Sequence, residues 1–185
     1  MKPVLLLAGI ILLLFMSGCI GLDSKGTATQ LQEARVNTVP EGLLTPSTFA
    51  QRESYRNALL GFRSTVRNIG GADGAALSAY LDGSLSLLSM QDSSQDGLAL
   101  LENIDPTFVV CENGTPASQA IERFQEAKND SQEAYEFFTR VQQNPSIGNA
   151  LGADYVVNVV QTTSILIEVN TERVEQLKSA CGFSV

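Results

Sequence analysis

The sequence predicts an all-α protein: an antiparallel up-down-up-down four-helix bundle behind an N-terminal signal or anchor and a flexible tether. Three observations predict it. Apolar residues recur at helical spacing over four long stretches, and clusters of Pro, Gly and Asn separate them. Three of the stretches run about 28–35 residues, so short links force neighbours to lie antiparallel.

The first helix opens at Thr45-Pro46, a cap residue followed by proline at the first helical position. Tyr55, Leu59, Phe62, Val66 and Ile69 then follow at spacings of 4, 3, 4 and 3, and Gly70-Gly71 ends the run. The second helix starts near Asp73 and carries Leu77, Leu81, Leu85, Leu88, Leu98 and Leu101 up to Asp105-Pro106; its weakly apolar middle, near 90–97, leaves a break open. The glycine-rich "GGADGAALS" at 70–78 lacks a preceding strand and a P-loop lysine, so it reads as a helix–helix turn. Thr115-Pro116 opens the third helix, whose seam is Ala117, Ile121, Phe124, Ala127, Ala134, Phe138 and Val141. The fourth stretch is rich in β-branched residues, which favour strands. Its polar positions decide otherwise: Asp154, Asn158, Gln161, Glu168, Glu172 and Glu175 fall at spacings of 4, 3, 7, 4 and 3, one stripe of a helix. The expectation is a helix over about 147–181, apolar around most of its circumference and deeply packed.

Ahead of residue 45 the chain divides in two. Residues 1–18 have the grammar of an export signal: Lys2 on a short n-region, the apolar run Val4–Met16, then small residues. Residues 19–44 are rich in Gly, Ser, Thr, Gln and Asn and read as a tether with a weak helical turn around Leu31–Val36, spanning about 25–30 Å if flexible. The helical domain is expected over 45–185.

Met16-Ser17-Gly18-Cys19 resembles the lipobox of prokaryotic lipoproteins, with Met16 where Leu is usual. The resemblance implies cleavage before Cys19, a diacylglyceryl group on its thiol and a chain held on the extracytoplasmic face of a membrane. Two other readings export the same domain. Val4 to Gly21 is just long enough to span a bilayer uncleaved, and a conventionally cleaved secreted chain is the third.

The chain has 12 basic and 20 acidic residues, and losing Lys2 with the signal leaves 11 against 20, a net of −9. That balance argues against nucleic acid as a partner. There is no histidine, which removes Ser-His-Asp and Cys-His catalysis and the Glu-x-x-His ligands of di-iron bundles. No cofactor or metal is expected. The carboxylate pairs Glu122/Glu126 and Glu133/Glu136 read as a solvated helix face.

Cys111 lies in the link between the second and third helices and Cys181 at the end of the fourth, places that an up-down-up-down bundle puts at one end. In an exported domain they are expected to form a disulfide closing about 70 residues. The start of the first helix falls at that same end, so the stapled end would face the membrane. Arg52, Arg56, Arg63 and Arg67 share one face of the first helix, a candidate anion-binding face whose alternative is pairing with the Glu168/Glu172/Glu175 stripe. Asn113 and Asn129 head glycosylation sequons.

The expected function is a membrane-tethered, non-catalytic interaction or scaffold module of the cell envelope, with an envelope protein as its partner. The alternatives are a ligand-binding sensor or solute-capture bundle, with room near Gly74, Gly83 and Gly97, and an enzyme of no recognised class.

Overall fold

Six helices and no strands form among the residues that the computed structural model describes, 23–102, 104, 110–112 and 114–182. They are α1 (Ser24–Val36), α2 (Phe49–Arg67), α3 (Gly71–Leu101), α4 (Pro116–Gln142), α5 (Pro145–Leu151) and α6 (Ala153–Ala180). Residues 1–22, 103, 105–109, 113 and 183–185 lie outside this description, and with them the lipobox-like segment, the expected Asp105-Pro106 stop and the Asn113 sequon.

Side-chain pairs fix the helix directions. Arg52 meets Asp92 while Arg63 meets Asp82, so α2 runs antiparallel to α3. Gly83 faces Phe138 while Gly97 faces Phe124, so α3 and α4 are antiparallel. Phe138 packs edge-on against Tyr155 while Arg173 covers the Phe124 ring, so α4 and α6 are antiparallel too. α4 lies against both α3 and α6, and α2 packs on α3. α3 is continuous through residues 90–97.

Of the three α3 glycines expected to leave room, only Gly74 borders a cleft, one of about 470 Å³ shared with Arg63 and Asp82. A Cβ on Gly83 would stand 2.8 Å from the Phe138 ring, and one on Gly97 would stand 3.0 Å from the Phe124 ring. Both sites are notches filled by aromatic rings of α4. At Gly74 a Cβ would fall 1.8 Å from the Ile69 carbonyl oxygen.

Four expectations are corrected here. Residues 24–44 are no flexible tether. Asp23 caps α1 by accepting from the Lys25 N–H, and Ala28 and Leu31 are fully buried in the main core. The helix lies across one end of the molecule, against α5, where Ser24 Oγ donates to Asp73 at 2.7 Å.

The helix expected from Thr45 starts instead at Phe49. Thr48 and Gln51 cap it reciprocally, a better N-terminus than Thr45-Pro46, both of which are buried in the preceding segment.

The helix expected over 147–181 breaks at Gly152. Its φ of +96° is left-handed backbone that L side chains rarely adopt, and it turns α5 by 94° from α6.

Nor is α6 deeply packed. Its buried seam is Val156, Val159, Thr163, Asn170 and Val174, while Ile165 is 59% exposed. The reason is its neighbour: α2 makes no close backbone approach to α6. Residues 37–48 link the two. The Tyr155 hydroxyl donates to the Leu44 carbonyl, and Arg52 Nη1 donates to the Ser47 carbonyl.

Candidate functional site

Charged side chains on α2 form the most ordered polar constellation. Arg52 is only 3% exposed; its Nε donates to Asp92 at 2.6 Å, its Nη2 to Gln95 at 2.7 Å and its Nη1 to the Ser47 carbonyl at 3.2 Å. Arg56 donates to the other Asp92 oxygen at 2.8 Å and to Glu53 at 3.0 Å. Arg63 meets Asp82 at 3.3 Å across a half-exposed gap. Arg52, Arg56 and Arg63 therefore pair with α3, not with the Glu168/Glu172/Glu175 stripe, because α2 docks on the helix that follows it through a short link. A guanidinium so enclosed is structural, which withdraws Arg52 and Arg56 from an anion-binding face. Arg63 and Arg67 line a cleft of about 470 Å³ with Ser78 and Asp82, and Arg67 makes no ion pair among the described residues.

The second constellation is one that the sequence reading did not single out. Tyr55, Tyr80 and Tyr155 converge from α2, α3 and α6; the Tyr55 and Tyr80 hydroxyls are 3.4 Å apart, and Phe138 of α4 packs against Tyr80 and Tyr155. Burial pushes all three phenols above their ordinary range, with each other's proximity adding to the rise at Tyr55 and Tyr155. Arg35, the last-turn base of α1, lays its guanidinium 3.9 Å over the Tyr155 ring. Its Nε is buried without a hydrogen-bond partner, and no described carboxylate lies within ion-pair distance of it. Arg35 lines a cleft of about 480 Å³ between residues 40–44 and α6, whose polar wall is Glu41, Asp154, Asn158 and Thr162. The signal was present: Thr27, Ala28 and Leu31 make one buried face behind an Asp23 cap, but too short a stripe to stand out beside four long helices.

The remaining candidates are placed as follows. Cys111 and Cys181 form a disulfide, their Cα atoms 5.4 Å apart, at the end of α6. The first described residue, Asp23, lies at the opposite end, beside Asp73, which also accepts from Asn144. Those hydrogen bonds hold the Asp73 carboxyl below its ordinary range. The start of α2 does fall toward the stapled end, where Arg52 meets Asp92 and Gln95 near the end of α3, but α1 precedes it and begins at the other end of the molecule. Asn129 is exposed but sits inside α4, accepting from Gln125, not in a surface loop. Glu122, Glu126, Glu133 and Glu136 are exposed. Among the described residues no cluster of three acidic or cysteine side chains could hold a metal, and no single helix is long and apolar enough to cross a membrane.

One carboxyl stands apart. Burial, then the charges of Glu133 and Glu126, push Asp130 up to about 6. Its folded form holds the proton more tightly than the unfolded chain, so its contribution favours folding below pH 4 and is lost as the pH rises through 6. Asp130→Asn should raise stability at pH 7 by about 1 kcal/mol, after solvent screening of a half-exposed group, and leave it unchanged at pH 4. Urea denaturation at the two pH values checks this.

No family model, curated protein or solved structure matches the chain.

Proposed function

We propose that this chain is an extracytoplasmic lipoprotein of the cell envelope, anchored through Cys19, whose helical domain acts as a non-catalytic interaction module. The domain is best read as a four-helix bundle of α2, α3, α4 and α6, alternating in direction, with α1 and α5 laid across one end. The position of Asp23 carries the membrane part of the reading. Four residue steps separate Cys19 from Asp23, at most about 14 Å of chain. A lipid on Cys19 would hold the α1 end against the headgroups and point the disulfide end outward. The α4 carboxylates Glu122, Glu126, Glu133 and Glu136 are exposed, which speaks against their use as an enclosed acid–base pair. The test is Cys19→Ser in the native host: the wild-type chain is expected in the membrane fraction with the domain accessible to external protease, and the variant is expected to lose its processed form. Equal processing and membrane retention of the variant would reject lipid anchoring.

A second reading, solute capture, is favoured by the cleft at Arg35. It is distinct from the cleft beside Gly74 and lies under the segment between α1 and α2.

A further inference from the structure

We infer that the cleft between residues 40–44 and α6 binds a small zwitterion carrying a carboxylate and an ammonium, as an amino acid does; this rests on the solute-capture reading and not on anchoring. Its charge is mixed in one way only. The one cation on its wall is Arg35, partly buried, stacked 3.9 Å over Tyr155 and lacking a described carboxylate partner. A guanidinium held flat on an aromatic face keeps its edge for a planar anion, and carboxylates match that fork. Arg35 Nε itself is enclosed and the Tyr80 hydroxyl takes one Arg35 donor, so what a ligand in the cleft meets is the guanidinium's charge and not Nε. Two exposed carboxylates, Glu41 and Asp154, line the same cleft and suit a cation, while Asn158 and Thr162 supply neutral donors and acceptors. A ligand of one sign would meet the wrong charge on one side, whereas a zwitterion meets a partner on both. About 480 Å³ is room for a small molecule, not for a polymer. One wall is the segment Pro40–Leu44, which turns at Gly42 with φ +80° and is tied to α6 through the Leu44 carbonyl and the Tyr155 hydroxyl.

Calorimetry and thermal shift on the purified full chain test this, with glycine, L-alanine and L-glutamate as zwitterions, succinate as an anion and putrescine as a cation. The amino acids are expected to bind saturably and raise the melting temperature, and succinate and putrescine to do neither. Arg35→Gln and Asp154→Asn should each weaken binding by at least about tenfold, since each removes a charged hydrogen-bond partner. Asn158→Leu alters only an exposed wall residue, so it keeps the test decisive if Arg35→Gln fails to fold. Succinate or putrescine binding as tightly as the amino acids would overturn the zwitterion assignment and keep solute capture. No binding by any of the five would overturn both, as would amino-acid binding indifferent to all three substitutions.

Discussion

Removing the Cys111–Cys181 disulfide is expected to lower folding stability by about 4 kcal/mol, the cost of releasing a loop of 70 residues in the chain-entropy account. In a chain of this size that is roughly a 10 °C fall in melting temperature. The effect should be unevenly distributed. The disulfide end is held by a small separate cluster of Ala120, Phe124 and Val174, with Leu100, Leu101, Ile121 and Leu177 packed around it. The larger core, with the tyrosines and Leu31, does not depend on the crosslink. Hydrogen exchange in the Cys111→Ser/Cys181→Ser variant should therefore rise first in the last turns of α6 and the first turns of α4. The turns around Tyr80 should change least. An unchanged melting temperature on reduction would mean that the small cluster closes this end unaided.

Arg52→Ala is expected to cost about 3 kcal/mol, more than any other arginine on α2. At 3% exposure, Arg52 has lost its hydration and recovered it through Asp92, Gln95 and the Ser47 carbonyl. Truncation leaves Asp92 with Arg56 alone, frees Gln95 and opens a hole between α2 and α3. It also removes the tie that holds residues 37–48 to α2. Arg63→Ala serves as the control. Its pair with Asp82 is 51% and 37% exposed, so its loss should cost well under 1 kcal/mol. Urea midpoints of the two variants compare them directly, and equal costs would contradict the enclosed network.

The helices legible in the sequence are those with long, regular seams. Ala117 to Val141 on α4 and Tyr55 to Val66 on α2 repeat often enough for periodicity to find them, and Pro116 marks where α4 begins. What was not legible depends on tertiary contact. Leu31 and Ala28 occupy barely one turn, and composition makes their surroundings look like linker. Gly152 lies inside an unbroken apolar pattern, and only its left-handed backbone reveals the corner. The acidic stripe on α6 suggested a partner for the arginines, yet two aspartates ten residues apart on α3 take that place. Spacing within one helix cannot report which neighbour it will meet. Arg35 was missed for the same reason: nothing near it in sequence announces Tyr155, 120 positions away.

The most direct test of the account as a whole is the intact mass of the full-length chain extracted from its native membranes without reductant. The account predicts a mature chain beginning at Cys19, carrying added diacylglyceryl mass and lighter by two hydrogens for the Cys111–Cys181 disulfide. An unprocessed chain of 185 residues would contradict it and make the N-terminal segment a membrane-spanning anchor instead.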